Sequence, residues 1–407
     1  MYLWSSYRDI FKEPNMVVLL LSQVFGFAAA TVSIFLGGIV GASLSDGALY
    51  ATLPVSMYQL GQASGSPGAA VLMSRLGRRA GSMLGSSLGV CMALFASYAV
   101  WKHAFLLYVV ASFGTGISIS FVQQYRFAAA ESVTVELAPF AVSTLFLAGI
   151  VSSIVGVNTV TVARDWVSVP YVGSYLSLAI ISFIPIVFLF FYQNKVVGID
   201  ADQVDGHASG AQDMGSLRGY ASIITDPLLV STILIASTGY GMMSFLMTVT
   251  PMNMHHMHGY SLSFTGVVIQ MHVMGMFLPS LVTGAMIKRF GDTKMLSAGL
   301  IIYLFTVLIG WFPPSSVTYT LGMIALGVGW NFLFITSTTK LAVISRGVSR
   351  FRVQGVNDFF VFLLTACASF MAGSLVRTFS WGQLHTLCVP LLVLIGMCIR
   401  WGAKHMK

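Results

Sequence analysis

Apolar runs of about 20 residues follow one another along almost the whole chain, and that feature leaves little choice of fold. A run of this length crosses the hydrocarbon core of a bilayer as a helix. Lipid offers no water to the backbone, so each crossing segment must satisfy its N–H and C=O groups internally, which a helix does. Only 8% of the 407 residues are charged and 56% are hydrophobic. A soluble domain of this size needs far more charge to cover its surface. Water-soluble, nuclear and nucleic-acid-binding classes are therefore set aside.

Twelve such runs are predicted, near 16–40, 48–72, 80–100, 104–125, 139–160, 171–192, 227–250, 261–286, 293–311, 316–337, 353–376 and 385–402. The sixth and seventh are separated by a polar stretch holding Asp200, Asp202, Asp205 and Asp213 with Gly206 and Gly210, which reads as a flexible tether. The expected organisation is an N-terminal six-helix half over 1–192, a linker over 193–226 and a C-terminal half over 227–407. An internal repeat supports the division. The basic turn Arg75-Leu76-Gly77-Arg78-Arg79 is echoed by Lys288-Arg289-Phe290-Gly291-Asp292, with Arg75 and Arg289 214 residues apart, as are Gly77 and Gly291. The same spacing carries Arg126 onto Lys340 and Tyr58 onto His272.

An even number of crossings puts both termini on one side. With the termini inside, 18 of the Lys and Arg residues fall in inner segments and only Lys102, Arg164 and Arg377 fall outside. That is a strong positive-inside bias, so the termini are expected in the cytoplasm and the net charge of +8 reflects topology, not an anionic partner. Arg8, Asp9, Lys12 and Glu13 precede a first run too long for a signal peptide. The four cysteines, Cys91, Cys367, Cys388 and Cys398, lie in apolar runs without metal or redox spacing and read as packing residues. Small residues such as Gly61-Gln62-Ala63-Ser64-Gly65 and Gly114-Thr115-Gly116 are expected to let helix backbones approach closely.

Twelve crossings in two similar halves, with a Gly- and Arg-containing turn after the second and the eighth, resemble the major facilitator superfamily of secondary transporters. Its turn reads approximately G-x-L-A-D-R-x-G-R-R. Here Ala70-Val71-Leu72-Met73-Ser74-Arg75-Leu76-Gly77-Arg78-Arg79 keeps the arginine, the second glycine and the basic pair, with Ala70 for the first glycine and Ser74 for the acid. Gly284-Ala285-Met286-Ile287-Lys288-Arg289-Phe290-Gly291 keeps both glycines and has Lys288 at the acid. Gln123-Gln124-Tyr125-Arg126-Phe127, Ala128-Ala129-Ala130-Glu131 and Asn357-Asp358-Phe359-Phe360 are similar to a bacterial subgroup with relatives linked to riboflavin uptake. The fifth span keeps Gly149 and Gly156 but lacks the proline of drug–proton antiporters, which tilts away from a drug exporter.

The resemblance implies a substrate site near the bilayer midplane, between the halves. Polar groups at that depth are expensive and so mark function. Gln59, Gln62 and Ser66 share one face of the second span, and Tyr58 and His272 stand at equivalent depth. Gln270, Trp330, Asn331, Gln23 and Asn158 complete the candidates. Each of the amides reads equally as an interhelical hydrogen bond, and His272 as a cavity group, a structural bond or a proton carrier. Asp358 is the one carboxylate read inside a span, about 8 Å into the eleventh helix. The family's turn supplies an acid facing the start of that helix. Its loss at Ser74 predicts an exchanged polarity, with Asp358 accepting from Arg75 and with Gly77, Arg78, Arg126, Arg289 and Gly291 as gating elements. A proton-carrying Asp358 and a helix-start acid are the other readings.

Met252-Asn253-Met254-His255-His256-Met257-His258 invites a copper or zinc reading, but no carboxylate or cysteine accompanies it and it reads as a solvated connector. No metal, cofactor or P-loop is predicted. The expectation is an integral membrane protein of the bacterial inner membrane, all helical and monomeric in membrane lipid. It carries a small, weakly charged, partly planar organic solute by alternating access, coupled to protons and working toward uptake. A drug or metabolite antiporter is the alternative. A membrane-embedded enzyme would need clustered acids, histidines or a metal set, and a sensor an output domain.

Overall fold

The computed structural model describes residues 2–45, 53–194, 223–345 and 349–405. Among these, every regular element is helical. The N-terminal half contains α1 (Tyr2–Ile10), α2 (Pro14–Gly26), α3 (Ala28–Leu44), α4 (Leu53–Trp101), α5 (Phe105–Gln123), α6 (Tyr125–Glu131), α7 (Ala138–Val162) and α8 (Val172–Leu189). The C-terminal half contains α9 (Pro227–Met252), α10 (Leu262–Phe277), α11 (Ser280–Phe290), α12 (Asp292–Gly310), α13 (Ser316–Ile344), α14 (Arg350–Thr378), α15 (Trp381–Thr386) and α16 (Val389–Lys404). Most of the expected linker, 195–222, falls outside the described residues.

Among the described residues, eleven helical stretches are long and apolar enough to cross a membrane. The 49-residue α4 holds two crossings, because Gly77 at φ 82°, ψ 163° reverses the chain within it. Twelve crossings result: α2–α3, the two parts of α4, α5–α6, α7, α8, α9, α10–α11, α12, α13, α14 and α15–α16. Gly291, the partner of Gly77 in the repeat, has φ 82° and ψ 162° and separates α11 from α12. Only a residue without Cβ tolerates that backbone freely. The repeat read from two short basic turns is thus a repeat of backbone geometry.

The small residues do what lipid demands of them. The carbonyl of Phe113 lies where a Cβ of Gly61 would be, and the carbonyl of Tyr58 occupies that place at Gly116. The other half repeats the crossing. Gly275 approaches the Ile324 carbonyl and Gly327 the His272 carbonyl, with the added Cβ at 2.7 and 2.5 Å. Tyr58 and His272 therefore occupy equivalent places, as the 214-residue spacing implied. Their partners Gly116 and Gly327, however, are 211 residues apart, as are Phe113 and Ile324. The fourth and tenth crossings are offset by three residues, close to one helical turn, so Arg126 and Lys340 are not structural counterparts.

The halves meet along two seams. On one, Gly355 of α14 packs on α4 so closely that a Cβ would lie 2.8 Å from that of Ala70. On the other, a Cβ at Gly284 of α11 would lie 2.7 Å from the Pro139 carbonyl at the start of α7. The first glycine missing at position 70 is supplied across the seam by Gly355. Close approach survives because the small residue has changed sides.

Two spans run further than their apolar runs. The fourth continues through α6 to Glu131, and the eleventh begins at Arg350. Asp358 is consequently about 12 Å into its helix, not 8 Å. Glu131, 2% exposed, is a second buried acid, so Asp358 does not stand alone.

Candidate functional site

The α4–α14 seam is filled by charge. Asp358 of α14 is fully buried, and its Oδ1 accepts from Arg126 Nη2 of α6, itself 2% exposed. Gln124 Nε2 donates to Asp358 Oδ2 at 2.8 Å and Asn357 Nδ2 to Oδ1 at 2.9 Å. Arg126 Nη1 donates to Gln123 Oε1 at 2.9 Å. One turn deeper toward the basic end, Glu131 accepts from Arg78 Nη2 at 2.6 Å and Nε at 3.2 Å, with Arg350 Nε 3.5 Å away. Gln354 Nε2 donates to Glu131 at 3.0 Å while its Oε1 accepts from Arg78 at 2.6 Å. Gln124 joins the two clusters, since its Oε1 accepts from Arg78 Nη1 at 3.2 Å.

Every acid here is paired and multiply hydrogen-bonded, as burial away from water requires. The Arg126–Asp358 pair joins the halves, whereas the Arg78–Glu131 pair lies within the N-terminal half and is tied to the other by Gln354 and Arg350, so these cross-seam contacts exist only while the halves are together at this end. The expected Asp358–Arg75 pair is not formed. Arg75 is exposed, and Arg126 takes its place, because α6 carries the fourth crossing past its apolar run and turns Arg126 into the seam. Arg78 joins the seam through Glu131, whereas Arg289 is exposed and lies over Phe290.

The second seam is different. Val135, Glu136 and Pro139 of one half and Ile287, Lys288, Asp292, Lys340 and His405 of the other line a cavity of about 500 Å³.

Behind the charges lies an aromatic cluster drawn from both halves. Trp330 and Phe334 of α13 stack at 5.0 Å and 22°. Tyr240 of α9 meets both edge-on at 5.4 and 5.0 Å, and Phe146 of α7 does so at 6.0 and 5.8 Å. Phe277 closes on Trp330 at 6.1 Å and Phe362 on Tyr240 at 6.1 Å. The Arg126 guanidinium sits 5.0 Å over Phe334 and 4.7 Å over Phe127, so the cluster and the ion pair share a wall. Of this cluster only Trp330 is among the sequence candidates; its i, i+4 spacing from Phe334 is the signal that would have added the second ring.

The remaining candidates separate. Gln59 is half-buried with an unpartnered Oε1, while Gln62 and Tyr58 are buried on the same helix. His272 is fully buried, its Nδ1 2.9 Å from the Met323 carbonyl. Gln270, two residues away, faces outward on the opposite side of α10. Asn331 is buried with both ends of its amide engaged: Nδ2 donates to the Met276 carbonyl at 2.6 Å and Ser280 at 2.7 Å, and Oδ1 accepts from Thr283 at 2.7 Å. It ties the α10–α11 break to α13. Asn158 is exposed and bonds its own helix, and Gln23 is buried.

The 252–258 stretch is a solvated connector only in part, at the exposed Met257 and His258. Met254 is fully buried, His255 Nδ1 lies 2.9 Å from the Tyr260 carbonyl, and His258 and Asn253 both meet the Tyr319 hydroxyl. Of the cysteines, Cys91 and Cys367 are exposed and only Cys388 and Cys398 are buried packing groups.

The sequence profile of the Major Facilitator Superfamily matches residues 16–339. The chain belongs to that superfamily. It is a membrane transporter and not an enzyme. It is 34% identical to the riboflavin transporter RfnT of Brucella anthropi over 96% of both chains. It is 27% identical to the uncharacterised MFS-type transporter YdeG of Bacillus subtilis, over 95% of this chain and 92% of that one. The fold matches the proton:xylose symporter XylE with a TM-score of 0.78 at 13% identity, over 99% and 96% of the two chains. The human organic anion transporter MFSD10 matches with a TM-score of 0.74 at 14% identity, over 95% and 99%. At such identities the solved structures speak for the superfamily fold alone.

Proposed function

We propose that this transporter takes up riboflavin, or a planar solute of the same class, by alternating access. The reading rests on the 34% identity to RfnT along nearly the full length of both chains. The aromatic cluster between the halves supports it, because stacked and edge-on rings suit a flat, largely uncharged heteroaromatic solute. The two halves, 1–192 and 227–407, rock about that cluster with the 193–226 segment tethering them, and the charged seam closes the end bearing the basic turns. That end faces the cytoplasm of a bacterial inner membrane. A proton gradient is the proposed driving force.

The test is uptake of radiolabelled riboflavin into proteoliposomes, with and without an imposed pH gradient. Saturable, protein-dependent uptake accelerated by an inward proton gradient is expected. Riboflavin flux equal to that of empty liposomes sinks the substrate assignment, and flux indifferent to the gradient sinks the coupling.

A further inference from the structure

Two hydrogen-bond donors within the aromatic cluster have no acceptor among the described residues: the indole Nε1–H of Trp330 and the Nε–H of Arg126. Each side chain is 2% exposed. They flank one ring, since Trp330 stacks on Phe334 at 5.0 Å and the Arg126 guanidinium carbon lies 5.0 Å from the same centroid. Indole and guanidinium nitrogens donate and never accept. A buried donor without a partner destabilises the state that holds it, and an apolar side chain of similar shape would avoid the penalty. Packing alone gives no reason to set two such donors around one ring at the meeting of the halves.

We propose that Trp330 and Arg126 form the edge-reading part of the substrate site. As the halves part at the end away from the charged seam, a planar heteroaromatic ring lies against Phe334, and two carbonyl oxygens on its edge accept from Trp330 Nε1–H and Arg126 Nε–H. Arg126 keeps its Nη groups on Asp358 and Gln123 meanwhile, so recognition does not require the ion pair to break. The site thereby selects a diketo ring, such as a pyrimidinedione, by its two carbonyl acceptors, which stand on either side of a ring N–H. It discriminates against rings that lack those carbonyls. The proposal rests on the riboflavin-class reading and adds that the diketo edge, not the sugar-alcohol chain, faces Trp330.

Purified protein, wild type and Trp330→Phe, is titrated with riboflavin, with lumichrome (the diketo tricycle without the chain) and with acridine (a tricycle without carbonyls). Wild type is expected to bind riboflavin and lumichrome comparably, and acridine about tenfold or more weakly. Trp330→Phe keeps an aromatic face and loses the donor, so it is expected to weaken riboflavin and lumichrome about tenfold and leave acridine unchanged. An equal loss for all three probes, or an unchanged lumichrome affinity, overturns the proposal. Should the variant not fold, acridine binding wild type as tightly as lumichrome overturns it without any substitution. Lumichrome binding that depends on Trp330 without riboflavin binding sinks the substrate assignment and leaves the edge reading standing. Failure of every carbonyl-bearing ring to bind wild type sinks both.

Discussion

Removing one side of the Arg126–Asp358 pair should open the seam it closes. Both groups are essentially inaccessible to water and come from opposite halves. In Asp358→Asn the guanidinium keeps Gln123 and two aromatic faces but loses its only counter-charge among the described residues. Depriving a buried ion pair of one partner costs about 3–5 kcal/mol. The penalty falls on the closed seam, because separation lets water reach the stranded charge. Each 1.4 kcal/mol is a factor of ten, so the lower figure shifts the closed–open ratio by about two orders of magnitude. The assay is maleimide labelling of Ser66→Cys in a background without the exposed Cys91 and Cys367. Ser66 is fully buried on α4 beneath Gly355, so its thiol reacts only when the seam parts. Labelling should accelerate about a hundredfold in Asp358→Asn and in Arg126→Gln, and no further in the double variant. Unchanged rates, or a double effect equal to the product of the single ones, would show that the two residues do not act as a pair.

Gly77 and Gly291 share one backbone conformation but not one environment. A Cβ on Gly77 would lie 2.6 Å from Asn194 Nδ2, and one on Gly291 would meet nothing within 4 Å. Gly291→Ala should therefore show backbone strain alone, about 1–3 kcal/mol, and Gly77→Ala a larger loss of melting temperature that Asn194→Ala reduces. Equal losses would contradict the clash. Asn331→Ala, which strands the partners at the α10–α11 break, should destabilise by about 1–3 kcal/mol while riboflavin affinity in a titration stays within about twofold. A large affinity loss in a well-folded variant would return Asn331 to the substrate site.

Crossing number and the repeat were legible because both rest on local facts. An apolar run must become a helix in lipid, and a glycine at positive φ leaves a recognisable basic turn on each side of the duplication. The correspondence of Tyr58 with His272 was legible for the same reason. Arg126 was misread in two ways that have one cause. Its match to Lys340 and the choice of Arg75 in its stead as the partner of Asp358 both assumed that the fourth crossing stops where hydrophobicity stops. Ala128, Ala129 and Ala130 instead carry the helix on to Glu131 and bury two charges that a hydropathy reading places outside. Between Arg75 and Arg126, the choice depends on which side of each helix meets α14. That is set by packing between halves, on which spacing along the chain is silent. Likewise Gln270 and His272 looked like one site by depth alone, although two residues on a helix point to opposite sides.

The unlike seams have a consequence for how such a carrier moves. Along α4 and α14, opening means breaking the buried Arg126–Asp358 pair and, with it, the contacts of Gln354 and Arg350 to the Arg78–Glu131 pair, with nothing gained until the stranded groups are solvated. Along α7 and α11, a space of about 500 Å³ with lysine and carboxylate side chains in its wall already lies between the halves. Separation on that side meets no comparable threshold. The halves should swing rather than slide apart: the cavity side leads, the charged side acts as the hinge edge and yields last, and the first path between the midplane and the basic end is a lateral cleft instead of a central pore.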